Sequence, residues 1–160
     1  MIWLTQQTFD RLKAELEQKR GPDRAEVIDR ISTARDEGDL KENGAYHAAK
    51  EEQGKMEARI RQLEEMLDPH RVTTGTSADD DTVSPGKVVT YRYAGNDDDT
   101  VFLLGAREIA EDHTEINVYS PESPLGAALL GAKAGETVDF EQPNGKIAKI
   151  EIISAVPFTV

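Results

Sequence analysis

Asp39 and Glu42 stand three residues apart in a polar stretch, Gly38-Asp39-Leu40-Lys41-Glu42-Asn43, between two long helical patterns. Across a turn, two carboxylates at that spacing can point the same way and share one hard cation. Mg²⁺ prefers octahedral oxygen coordination and keeps several waters, so two carboxylates alone give a weak, incomplete site. Such a pair can still supply missing ligands to an ion that another molecule only partly holds. In a two-metal phosphoryl-transfer site the second ion activates the attacking water. For an arbitrary exposed turn, solvated acids are the better reading.

The elements on either side must position this pair. Thr8 is placed to cap a helix that carries Phe9, Leu12 and Leu16 on one face. Gly21-Pro22 follows, and proline inside a helix removes a hydrogen bond and clashes with the preceding turn. A kink or a split is expected there, with Pro22 in the first turn of a new helix. The heptad begun at Phe9 would continue onto Lys19, Asp23, Glu26 and Arg30, all polar. The apolar residues are instead Val27, Ile31 and Ala34, one position out of phase. Beyond the polar stretch, Tyr46, Ala49, Gln53, Met56, Ile60, Leu63 and Leu67 step by 3 and 4 residues in alternation, a coiled-coil seam with one polar member. Asp68-Pro69 ends it. Two helices joined by a short polar turn form an antiparallel hairpin. Its plainest use is dimerisation through the stripe.

Residues 72–85 are rich in Thr, Ser, Gly and Asp and read as a linker. From Gly86 the pattern changes to strands over 88–93, 101–104, 115–119, 137–140 and 147–153. Pro124 at a helix start and Gly131 past its end bracket one short helix. The expected class is therefore α+β, with a hairpin over 1–71, a linker over 72–85 and a small domain of mostly short strands over 86–160.

Other chemistries find little support. His47, His70 and His113 are scattered and there is no cysteine, so a zinc site is not expected and the histidines read as surface residues. No nucleophile elbow, phosphate-cradling loop or dinucleotide fingerprint is present. A net charge of −12 argues against a general nucleic-acid coat. Asp79-Asp80-Asp81 and Asp97-Asp98-Asp99 read as solvated loops. The apolar runs are too short to span a bilayer and the N-terminus lacks a signal-peptide pattern, which makes a cytoplasmic address the default expectation. Tyr91, Tyr93, Phe102, Tyr119 and Phe140 are placed to line a proline pocket with isomerase activity, although at strand spacing they are more simply core.

The stretch from Ala34 to Asn43, continuing through Tyr46-His47-Ala48-Ala49-Lys50-Glu51 to Gln53-Gly54, resembles the hairpin tip of the Gre transcript-cleavage factors. Ser123-Pro124-Leu125-Gly126, Leu129-Leu130-Gly131 and Pro143-Asn144-Gly145 extend the resemblance over nearly the whole chain. It implies an antiparallel coiled-coil hairpin followed by an FKBP-like domain, a small antiparallel sheet with one short helix. It further implies a monomer that is not an enzyme by itself but a partner of bacterial RNA polymerase. The hairpin would enter the secondary channel, and Asp39 and Glu42 would help hold the second Mg²⁺ and its attacking water. The polymerase would then hydrolyse the RNA 3′ end of a backtracked complex. The ion would be held mainly by the polymerase, with none bound stably by the chain alone. Arg35 and Lys50 match a basic spot that meets the RNA, Tyr46 matches a tip-proximal aromatic, and the segment Ser123, Pro124 and Leu125 falls in the domain that docks on the β′ subunit. Two departures stand out. The proline of Gly21-Pro22-Asp23 comes earlier than in the family, and Asp36 and Glu37 add acids beside the pair. Acid-rich tips mark Gre-like homologues that inhibit the polymerase through the same channel, which is the alternative function.

Overall fold

The structure, a computed structural model, describes residues 1–39 and 41–159. The chain divides into two compact units, one of residues 9–71 and the other of residues 1–8 with 72–160.

The first unit is helical. Helix α1 spans Gln6–Gln18, α2 Arg24–Asp36 and α3 Gly44–Met66. Thr5, not Thr8, opens α1: its Oγ1 accepts the Thr8 N–H at 3.1 Å, the bond an N-cap makes. Between α1 and α2 the helix does not split at Gly21-Pro22. Lys19–Asp23 forms a π-helical turn, and the Arg24 N–H reaches the Lys19 carbonyl five residues back. The backbone stays helical on both sides, at φ −64, ψ −47 for Gln18 and φ −66, ψ −43 for Asp23. Pro22 therefore lies within a continuous helix rather than in the first turn of a new one. A π turn takes up one residue more than an α turn, and that one residue is the phase shift in the sequence. Val27, Ile31 and Ala34 are buried, as are Ala49, Met56, Ile60 and Leu63 opposite.

Ion pairs cross from the first arm to α3 in antiparallel order. Arg24 holds Glu57 through two bonds of 2.8 Å, Arg59 holds Glu15 at 2.7 and 2.8 Å, and Arg30 Nη2 reaches Glu52 at 2.6 Å. Paired donors on Arg24 and Arg59 fix geometry as well as charge. Hydrogen bonding to these guanidiniums holds the Glu57 and Glu15 carboxyls below their ordinary range, against the opposing effect of desolvation.

The second unit is built on a five-stranded sheet. Strand β3 is Lys87–Tyr93, β4 Thr100–Leu104, β5 Asn117–Tyr119, β6 Thr137–Glu141 and β7 Ile147–Pro157, in spatial order β5-β4-β3-β7-β6. All pairs are antiparallel except β4 with β5. The antiparallel expectation fails at that edge because a 3₁₀ turn, Arg107–Glu111, lies between the two strands and lets the second run in the direction of the first. Strand β7 runs past its expected end and pairs Ser154–Val156 with Val88–Thr90 beyond a bulge at Thr90/Tyr91. Helix α4, Pro124–Leu129, places Leu125 and Leu129 in a core shared with Val89, Phe102, Ile150 and Ile152.

Two short strands missed by the sequence pattern join this unit, β1 (Ile2–Trp3) and β2 (Val72–Thr73), paired in parallel. Trp3 Nε1 donates to the Gly75 carbonyl at 2.8 Å. The first eight residues therefore group with the sheet unit, whereas the boundary expected from sequence kept them with the hairpin. Residues 72–85 also differ from a linker. Lys87, fully buried, sends its Nζ to the Asp80 carbonyl and Oδ1 at 2.7 Å each and to the Thr82 carbonyl at 3.1 Å. A buried ammonium must be matched by acceptors, and this segment folds over it to provide them. The Asp79–Asp81 run is thus not wholly a solvated loop.

Candidate functional site

The site is the link between α2 and α3. The last turn of α2 closes when the Glu37 N–H bonds the Ala34 carbonyl at 3.2 Å. Gly38 then turns the chain away at φ +135°, a region where a β-carbon is strained. Asn43 at φ −86, ψ 98 caps α3, its Oδ1 accepting the Tyr46 N–H at 3.1 Å. The Asn43 Nδ2 donates to the Ala34 carbonyl across the hairpin. Asp39 Oδ1 accepts the Lys41 N–H at 3.0 Å, and His47 Nε2 lies 3.2 Å from the Lys41 carbonyl.

Asp39 and Glu42 are both exposed on this link, as are Asp36 and Glu37. Leu40 lies outside the described residues. Arg35 is exposed in the last turn of α2. Tyr46 is half-buried and meets the His47 ring edge-on at 5.6 Å, and exposed Lys50 lies one turn further, donating to Gln53 Oε1 at 3.0 Å. The link and the flanking helix ends thus carry all five residues singled out near the tip. Among the described residues, no three His, Cys, Asp or Glu side chains converge as metal ligands. The tip carboxylates of Asp39 and Glu42 are oxygen donors of the type Mg²⁺ takes.

The Ser123, Pro124 and Leu125 segment sits on α4. Ser123 Oγ accepts the Gly126 N–H at 3.1 Å and donates to the Ser120 carbonyl at 2.6 Å. Pro124 is exposed at the first helical position, whereas Leu125 points into the core. A β-carbon on Gly126 would lie 2.1 Å from the Ser120 carbonyl oxygen, so glycine is needed for the turn to close. Only Ser123 and Pro124 of the three offer side chains to a partner.

Most of the aromatics placed to line a proline pocket serve the core, as their strand spacing suggests, while Tyr93 is half-buried against it and Tyr119 is exposed. Tyr91, Phe102 and Phe140 are buried; Tyr91 meets Phe102 at 5.8 Å and Phe102 meets Tyr119 at 5.3 Å, both edge-on. Burial pushes the Tyr91 phenol up. His47 and His70 are exposed, but His113 is buried, with Nε2 3.3 Å from Thr5 Oγ1 and Nδ1 3.3 Å from Glu115 Oε1. Sequence reasoning also passed over the bridging by Asn43 and His47 at the tip. An asparagine directly before a helical pattern was the one signal for the first.

Fold and site together define a two-unit protein whose helical hairpin presents carboxylates on the link joining its helices. Residues 2–72 match the family model described as transcription elongation factor, N-terminal. Residues 78–156 match that for the C-terminal part of transcription elongation factors GreA/GreB. The chain is 51% identical over 159 residues to transcription elongation factor GreA of Streptomyces avermitilis, covering 99% of this chain and 94% of that protein. It is 48% identical over 160 residues to GreA of Rhodococcus erythropolis, covering 99% of this chain and 96% of that one. A crystal structure of GreA factor homolog 1 (Gfh1) of Thermus thermophilus aligns at 23% identity and a TM-score of 0.42, covering 96% of this chain and 97% of that chain. This chain belongs to the GreA/GreB family of transcription elongation factors. Among the described residues, no helix is long and apolar enough to cross a membrane.

Proposed function

We propose that the chain stimulates a bacterial RNA polymerase to cleave the 3′ end of backtracked RNA, with the hairpin entering the secondary channel. The observation that carries this reading is the pair of exposed acids, Asp39 and Glu42, on a link closed by side-chain hydrogen bonds at the end of a helical hairpin. Helix α3, with 23 residues, is about 35 Å long at ~1.5 Å per residue, a length suited to a deep channel. Asp39 and Glu42 would supply carboxylate oxygens to a Mg²⁺ that the polymerase holds mainly with its own ligands. When bound, that ion lowers the pKa of an attacking water. The chain's own part is to bring the acids to the reacting end at low entropic cost, since the hairpin is ordered beforehand. Arg35 and Lys50 would contact RNA phosphate, and Tyr46 would meet the RNA near the tip. Ser123 and Pro124 would meet the β′ subunit, with Leu125 holding their turn from below.

The test adds the protein to a halted, backtracked elongation complex with Mg²⁺ and measures short 3′ RNA. Release is expected with the unmodified chain and its loss with Asp39→Ala or Glu42→Ala. Equal release from those variants overturns the mechanism. Exposed Asp36 and Glu37 beside the pair favour one second reading, inhibition through the same channel. That reading predicts slower nucleotide addition and no released fragment.

A further inference from the structure

We infer that Asn43 and His47 are positioning residues for the tip acids, fixing the link that carries Asp39 and Glu42. The inference rests on the proposed use of those acids and deepens it.

The carboxamide of Asn43 works at both ends of the link. Its oxygen accepts the Tyr46 N–H at the start of α3, and its Nδ2 donates to the Ala34 carbonyl near the end of α2. Both backbone groups belong to helix termini: the Tyr46 N–H lies in the first turn of α3, and the Ala34 carbonyl, which also accepts the Glu37 N–H, takes the carboxamide as a second donor. A carboxamide is suited to this because it carries a donor and an acceptor on one planar group. Aspartate in its place would cap α3 but turn an oxygen toward the Ala34 carbonyl. Serine would cap α3 and lack the second reach.

His47 acts one turn into α3. Its Nε2 faces the Lys41 carbonyl at 3.2 Å, and a carbonyl only accepts, so Nε2 carries the hydrogen. The Lys41 N–H is in turn held by Asp39 Oδ1 at 3.0 Å. The Lys41 residue is therefore gripped through its carbonyl by His47 and through its N–H by Asp39. Glu42 lies between two anchored residues, Lys41 and Asn43. An incomplete ligand pair gains most from such anchoring, because positional error at the acids passes directly into the shared metal shell.

The test has two arms, both on the 160-residue chain. In the free protein, hydrogen exchange by NMR follows the Lys41 backbone amide and the Asn43 side-chain amide. Both are expected to be protected in the unmodified chain, and Lys41 to lose protection in Asn43→Ser and His47→Ala, while helix content by circular dichroism is unchanged. His47→Gln keeps an N–H donor near the Nε2 position and is expected to restore the protection. In the cleavage assay, the Mg²⁺ concentration for half-maximal release is expected to rise by about 10-fold or more in Asn43→Ser and His47→Ala, the scale seen when groups behind metal ligands are removed. Affinity for the polymerase is expected to stay the same. An unchanged Mg²⁺ requirement in a folded, Lys41-deprotected Asn43→Ser overturns the positioning role, as does unaltered Lys41 exchange in both variants. Should the unmodified chain release no RNA, the functional reading fails, and the exchange arm still decides whether the two side chains hold the link.

Discussion

Asp39 at the hairpin tip and Asp80 in the second unit occupy similar stretches of sequence, polar loops with neighbouring acids. Their side chains are used in different ways. Asp80 turns its carboxylate and its own carbonyl onto the Nζ of Lys87, which has no exposed surface. Asp39 bonds the backbone of its own loop, and its neighbours at the tip are further acids and exposed bases. A loop becomes part of the fold when a buried opposite charge needs it. Without one, the same residue types stay on the surface, available to something outside the molecule.

That contrast is most directly broken at the tip. Asp39→Ala is expected to lower the RNA cleavage that the chain stimulates in the polymerase on the order of 10²–10³-fold, the usual loss when one preorganised electrostatic group is removed. The melting temperature should hardly move, as read by circular dichroism. A large fall in melting temperature would make the tip acid a structural residue like Asp80.

Lys87→Ala is the converse. It deletes a buried side chain and leaves the Asp80 and Thr82 carbonyls without their donor, for an expected cost of about 2–4 kcal/mol in urea unfolding. The Asp80 carboxyl is held below its ordinary range first by the hydrogen bond from Lys87, then by the Thr82 N–H. A depressed carboxylate contributes stability above its unfolded pKa and loses it as pH falls through the folded value. The advantage of the unmodified chain over Asp80→Asn should therefore be full at pH 7 and shrink below the ordinary carboxylate range. Chemical denaturation at several pH values checks this.

The hairpin shaft gives a third comparison, between the seam and its interruption. Deleting Pro22 removes both the extra residue and the missing N–H, and returns Val27, Ile31 and Ala34 to the phase set by Phe9. The hairpin is expected to stay folded with an equal or higher melting temperature. Inserting one alanine after Gly21 shifts the seam further and is expected to destabilise by about 1–3 kcal/mol, the range of misfitted cores.

The smallest effect belongs to the Arg59–Glu15 pair. Glu15 is held low chiefly by its hydrogen bond to Arg59. Its contribution is present above the unfolded carboxylate pKa and disappears in acid below that range. Because the pair is partly exposed, Glu15→Gln should cost only about 0.5–1 kcal/mol at pH 7 and nothing measurable once the carboxyl of the unmodified chain is protonated.

Much of the fold was legible because periodicity reports which face is buried. The 3–4 stepping from Tyr46 to Leu67 identified the buried residues of α3, and β-branched runs located the strands of the sheet. The one-residue slip after Pro22 was also visible, but not its form. A broken helix and a π turn produce the same slip, and backbone hydrogen bonding chooses between them. The tip acids could be found by type and spacing, whereas the bonds from Asn43 to Ala34 and from His47 to Lys41 join positions whose pairing depends on how the helices meet. Strands β1 and β2 are two residues each and seventy residues apart, too short to show a pattern and too distant to show a turn.

The sequence by itself determined the hairpin, the sheet and the chemical type of the tip, because these follow from the order of apolar, polar and turn residues along a local stretch. Tertiary structure alone decided that Lys87 is buried and that residues 72–85 fold over it. It also decided that Leu125 and His113 lie inside, and that the first eight residues join the sheet unit. Each of these depends on which distant groups supply acceptors or apolar cover, and local spacing carries no record of them. For the acidic link the two sources meet. Its carboxylates are written in the sequence, and the side chains that hold them in place are given by the fold.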